Sequence, residues 1–204
     1  MRKITINLAA VAAFCIVVAS PALVSSSCAT PQTEQEDTTI IREDSGITAL
    51  KYSSPEVPAS IEFCGKTIDL SRFDRHERMD RELLAFTYMH STSLQMLKKA
   101  NRYFPIVEPI LKENGIPDDF KYLMVIESNM NPTARSSAGA AGLWQFMQGT
   151  GRDYGLEVNN NVDERYHIEK ATRAACRYLK DAYAKYKDWV AVAASYNAGQ
   201  ARIA

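Results

Sequence analysis

From Asp74 onward, apolar side chains recur every three or four positions, the spacing of a helix that buries one face. Leu83, Leu84, Phe86 and Met89 keep one side oily, and Leu94, Leu97, Ala100 and Tyr103 continue the series. Pro105 is expected to restart a helix through Ile106, Val107, Ile110 and Leu111, which stops at Asn114-Gly115. Pro117-Asp118-Asp119 predicts the next start, with proline in the first turn and acids at the positive end of the dipole. That helix carries Phe120, Leu123, Met124, Ile126 and Glu127 and must end before Asn131-Pro132. A long helix follows over about 168–186, with Ala171, Ala174, Ala175, Tyr178, Leu179 and Tyr183 on one side. Asp188 is placed to cap a last one over 189–196. Only 61–70 alternates as a strand does, enough for a lone hairpin or loop. The predicted class is all-α.

The amino end follows another pattern. Met1-Arg2-Lys3 is basic, the chain from Ile4 to Val18 is apolar but for Thr5 and Asn7, and small residues lead to Cys28. This is the layout of a secretory signal over 1–27, with an uncleaved anchor as the alternative. Cys28 resembles the modified cysteine of a bacterial lipoprotein, although Ser25 stands where a large apolar residue is usual. Ordinary cleavage beside it is the competing reading. A lipid there would hold the protein on a membrane surface. Residues 28–60 are rich in Thr, Ser, Glu, Gln and Pro and read as a flexible, disordered tether, with 61–79 as a short extended lead-in.

Composition removes several classes. Basic and acidic residues both number 24 of 204, so nothing favours nucleic acid as a partner. Four cysteines are too few for a disulfide scaffold, and Cys64 with Cys176 is a pairing the spacing leaves open. The three histidines are too far apart to form a ligand set, so no metal is expected.

Glu127 is the residue that carries chemistry. It shares a face with Leu123 and Met124, and a carboxyl among such neighbours holds its proton above the ordinary carboxylate range. A neutral carboxyl is what a general acid needs. A structural ion pair or a solvent-facing helix end is the alternative. Downstream, the Gly139-Ala140-Ala141-Gly142 run permits close backbone approach and leads into Leu143-Trp144-Gln145-Phe146-Met147. An aromatic, an amide and a thioether side by side suit a sugar, whose ring faces are apolar and whose rim is polar. For at least two of Trp144, Phe146 and Met147 the expectation is core instead.

Glu127-Ser128, Asn131-Pro132, Ser136, the run from Gly139 to Met147, Thr150-Gly151 and Tyr196-Asn197-Ala198-Gly199 together resemble the catalytic domain of lytic transglycosylases. The Gly-Leu-Trp-Gln-Phe-Met form, with Tyr154-Gly155-Leu156 and Val162-Asp163-Glu164-Arg165, is most similar to their membrane-bound D type. The resemblance spans about 80–199 and implies a goose-type lysozyme-like helical domain with a deep glycan cleft, assigned to 80–204. It implies Glu127 as the catalytic acid and base, and Ser136, Gln145, Met147, Tyr196 and Asn197 as substrate contacts. Asp163 falls in a stretch read as structural. The implied reaction cleaves the bond from N-acetylmuramic acid to N-acetylglucosamine without water and leaves a 1,6-anhydro end. Alternatives are a muramidase on the same bond and an inactive glycan-binding envelope protein.

Gln148, Ser195 and Gln200 depart from the family pattern, and the domain is expected to be truncated on its carboxyl side. The expected partners are peptidoglycan strands and, through Cys28, a membrane. A monomer, no cofactor and a periplasmic or outer-membrane location complete the expectations.

Overall fold

The computed structural model describes residues 55–198. The segments read as a signal and as most of the tether, Cys28, residues 199–204 and the Asn197 side chain lie outside the described residues.

Strands β1 (Ser60–Phe63) and β2 (Lys66–Asp69) pair antiparallel, Ile61 opposite Ile68. Cys64 and Gly65 both take positive φ, 50° and 75°, which gives the two-residue turn the right-handed strand twist favours. The hairpin buries Ile61 and Phe63 on the helices, so it belongs to the main core. Its turn is pinned where the Cys64 N–H donates to the Asp119 carboxylate at 2.7 Å. Lys66 pairs with Asp188 at 2.5 Å. Cys64 and Cys176 are both free thiols: Cys64 sits at this turn and Cys176 is buried in the helical core, where burial pushes its thiol up to about 11.

Among the described residues six helices follow: α1 (Phe73–Tyr88), α2 (His90–Glu113), α3 (Leu123–Ser128), α4 (Gln148–Asp153), α5 (Ile168–Tyr186) and α6 (Trp189–Ala198). Short 3₁₀ turns at Asp118–Tyr122 and Glu164–Tyr166 precede α3 and α5. α5 lies along α2 on one side and α6 on another. Its Ala171, Ala174, Ala175 and Ala182 are all buried, and their small side chains let neighbouring backbones approach. Phe63, Phe104, Phe120, Leu111, Leu123 and Trp144 are wholly enclosed. Each such side chain contributes roughly 1.5–3 kcal/mol of transfer free energy.

Two predicted boundaries move. The extended lead-in expected over 61–79 stops at the hairpin, because α1 already begins at Phe73 and buries Met79. The helix does not restart at Pro105; α2 runs unbroken past Pro105 and Pro109, and the corner lies at Met89. Both prolines are on the solvent face, where the carbonyls they fail to bond can reach water. Tyr103, Phe104, Val107, Ile110 and Leu111 stay buried without interruption on the other face. At Met89 the backbone turns but keeps its hydrogen bonds. Met89 N–H still donates to the Ala85 carbonyl, and the Ser93 hydroxyl donates to the carbonyl of Phe86. No helix among the described residues is long and apolar enough to cross a membrane.

Candidate active site

Glu127 lies in the last turn of α3, beside the buried Leu123, Met124 and Val125. Its Oε1 is buried and has no hydrogen-bond partner among the described residues. Burial alone pushes its carboxyl up to about 7. Among the described residues no second acid contributes to that rise. The carboxyl is therefore largely neutral at pH 6 and half ionised near pH 7, which suits a group that gives and later takes a proton.

The chain past Glu127 is strained in place. Asn129 and Met130 are both left-handed, at φ 49° and 52°, a conformation non-glycine residues rarely adopt. Met130 is wholly buried and acts as the anchor, and the Lys99 ammonium donates to the Asn129 carbonyl at 3.0 Å.

A loop from Ala134 to Phe146 stands beside this helix end. Ala141 and Phe146 exchange both backbone hydrogen bonds, and Gly142 N–H donates to Ala134. The Ser128 hydroxyl lies 3.0 Å from the carbonyls of both Met124 and Leu143, which share its single proton. The Tyr196 hydroxyl donates to the Trp144 carbonyl at 2.8 Å. Gln145, the next residue, takes φ 50°, and its amide Nε2 donates to the carbonyls of Gly142 at 2.8 Å and Ala134 at 3.3 Å. Ser136 closes the other end: its hydroxyl accepts from Ala140 N–H at 3.0 Å.

Behind the loop stands Arg165, which is buried. Its guanidinium donates to the carbonyls of Gly139 (2.8 Å) and Phe146 (2.9 Å) and forks onto Asp163 at 2.9 and 2.7 Å. The hydrogen bonds from Arg165 hold the Asp163 carboxyl below the usual carboxylate range. Gly142 and Gly151 are fitted to this arginine: a Cβ on Gly142 would lie 1.9 Å from the Arg165 carbonyl oxygen, and one on Gly151 3.3 Å from the arginine stem. The Asp-Glu-Arg stretch is thus a structural one. Arg165→Lys breaks the fork onto Asp163 and takes the guanidinium donor from the half-buried Gly139 carbonyl, so we expect a loss of roughly 2 kcal/mol in denaturant unfolding.

The sequence-derived candidates divide. Glu127, Gln145, Ser136 and Tyr196 are gathered around one loop and one helix end. Tyr196 is partly buried; its phenol is raised well above the ordinary value by burial and then by the charge of the nearby Glu127. Trp144 and Phe146 are core, with Trp144 Nε1 donating to Thr172 at 3.0 Å. Met147 is 46% exposed at the edge of the loop. Asn197 lies in the last turn of α6, its side chain outside the described residues.

The match with known proteins falls on this same region. The "Transglycosylase SLT domain" family matches residues 105–204. This part of the chain belongs to the SLT transglycosylase domain family. The helical architecture is that of the all-α, lysozyme-like SLT domain. The chain is 31% identical over 128 residues to membrane-bound lytic murein transglycosylase D of Escherichia coli strain K12, covering 62% of this chain and 27% of that protein. The protein of the same name from E. coli O6:H1 strain CFT073 gives the same figures. Peptidoglycan transglycosylase gp16 of Escherichia phage T7 is 33% identical over 93 residues, 44% of this chain and 7% of its own length. The chain therefore spans about a quarter of the two E. coli relatives. α1, the hairpin and most of α2 precede the SLT match.

Proposed function

We propose that the protein is a peptidoglycan lytic transglycosylase in which Glu127 is the single acid and base. The observation that carries this reading is a buried carboxyl with an unpartnered oxygen, raised to about 7 by burial, with no second acid among the described residues adding to that rise. Glycosidases that use a nucleophile or an activated water need a second carboxylate at a set distance. A substrate that supplies its own nucleophile needs none.

In this mechanism Glu127 gives its proton to the oxygen bridging N-acetylmuramic acid and N-acetylglucosamine as the bond to the anomeric carbon breaks. The N-acetyl group of the muramic sugar stabilises that carbon. The C6 hydroxyl oxygen of the same sugar then bonds to it, and its proton goes to the Glu127 carboxylate. The acid is restored, a 1,6-anhydro end forms and no water is consumed. Gln145, Ser136, Met147, Tyr196 and Asn197 line the glycan cleft in this reading. The E. coli relatives' names support murein as the substrate and a membrane-bound setting. We extend this to an exported protein with a signal over 1–27, an anchor at Cys28, a tether over 28–60 and a catalytic unit from about residue 80. It would work as a monomer on peptidoglycan at the periplasmic or outer-membrane surface.

Mass spectrometry of fragments released from purified sacculi tests the reaction. We expect anhydro-muramic ends, about 18 Da lighter than reducing ends because no water is added. Reducing ends would mean a muramidase. Binding to sacculi with no fragment released would mean a glycan-binding protein.

A further inference from the structure

Tyr178, midway along α5, meets three aromatic rings edge to face. Tyr154 lies 5.3 Å away at 67°, Tyr196 5.2 Å away at 74°, and Phe146 6.4 Å away at 74°. Such pairs prefer a tilted geometry because the positive ring edge meets the negative face, so each contact fixes an angle as well as a distance.

Two of the three partners are fixed independently. The Tyr154 carbonyl accepts from Arg177, and the Tyr154 hydroxyl is bonded to Asp181. The Phe146 carbonyl accepts from Arg165 and from Ala141 N–H. The third partner, Tyr196, is the ring whose hydroxyl reaches Trp144 and which stands near Glu127. α6 is pinned to α5 at two aromatic points: Trp189 stacks on Tyr183 at 4.2 Å near the connecting turn, and Tyr196 meets Tyr178 two turns later. Without the second point, the end of α6 that carries Tyr196 loses an aromatic anchor.

We propose that Tyr178 is a positioning residue: clamped by Tyr154 and Phe146, its ring sets Tyr196 beside Glu127. Tyr178 acts through Tyr196 and takes no part in the chemistry. The ring and not the hydroxyl is the working part. This rests on the lytic transglycosylase reading for its catalytic consequence, but not for its structural one.

Two variants separate the contributions. Tyr178→Phe keeps the ring, and Tyr178→Leu fills part of the space without it. Each is assayed for kcat and KM on soluble glycan strands. The Glu127 carboxyl is titrated by ¹³C NMR in protein labelled on glutamate, a readout that needs no activity. We expect Tyr178→Phe to keep kcat within about twofold, and Tyr178→Leu to lower it about tenfold with KM nearly unchanged, the signature of lost transition-state geometry. In the Leu variant Glu127 should titrate at lower pH, because a displaced Tyr196 admits water to the carboxyl. Tyr178→Met, longer and more adaptable, replaces the Leu variant if that one does not fold. A Glu127 titration unmoved in a folded Leu or Met variant overturns the proposal. So does a Phe variant as impaired as Leu. If the parent protein releases no fragments from any glycan, the functional reading fails alone, and the titration still decides the role of Tyr178.

Discussion

Glu127→Gln abolishes the release of glycan fragments, by roughly 10³-fold or more given what a general acid and base contributes, while the protein remains folded. The same substitution has a second, opposite consequence for stability. Burial raises the Glu127 carboxyl from an ordinary carboxylate value to about 7 in the folded chain. The folded state therefore holds this proton where the unfolded state releases it, and stability falls as pH rises through that window. The penalty is absent below about pH 4, grows through pH 5 and 6, and is complete above pH 7, where it reaches roughly 2–3 kcal/mol. Glutamine carries no such charge. Urea unfolding should find the variant equal to the parent near pH 4 and more stable at pH 8. Equal stability at both ends would mean that the carboxyl is solvated, and the assignment of Glu127 as a neutral acid would fall with it. The parent's turnover should also decline above pH 7, as the acid is lost before the bond is broken.

Gly142→Ala unfolds or nearly unfolds the protein. The added methyl would sit 1.9 Å from the Arg165 carbonyl oxygen, inside the contact limit of any carbon and oxygen. The obstacle is backbone, so no side-chain rotation relieves it. Gly142 also holds φ at +79°, where L side chains are strained. Its N–H and carbonyl are both in use, by Ala134 and by Gln145, so the residue cannot shift without releasing the loop. We expect a loss of more than about 4 kcal/mol, read as a collapse in melting temperature or soluble yield. Gly139→Ala is the control: its φ is +88° but nothing lies within 4 Å of the added atom, so only the conformational cost remains, about 1 kcal/mol.

These two glycines illustrate what the sequence could and could not disclose. The run from Gly139 to Gly142 marks a tight backbone, but which glycine faces another chain segment depends on Arg165, more than twenty residues on. The helical period gave the long helix ending at Tyr186, because its apolar face repeats without interruption. It also gave the stop at Asn114-Gly115, where Gly115 is left-handed and Ile116 N–H returns to the Leu111 carbonyl. Pro105 misled because a proline's meaning depends on whether its side of the helix faces water, which the local pattern does not state. α4 was not anticipated at all. Gly149 and Gly151 cost the helix about 1 kcal/mol each, and the reason for Gly151 is the arginine stem lying against it. At the site, Glu127 stood out as an acid among apolar residues on one helix, a purely local contrast. Arg165 was marked only as part of a stretch read as structural and Tyr178 only as one side chain of an alanine-rich face, since what each one holds lies in distant segments.

The hairpin's two anchors have a temporal consequence. Cys64 waits for a carboxylate 55 residues ahead, and Lys66 for one 122 residues ahead. Loops of that size close slowly, and the two partners arrive apart: a chain delivered to residue 119 offers the first, and only one delivered to residue 188 offers the second. The amino-terminal hairpin can thus dock fully only after residue 188 has been delivered. A chain threaded through a membrane from its amino end would close in two steps, the turn at Cys64 first and the Lys66 clasp only near the end of the passage.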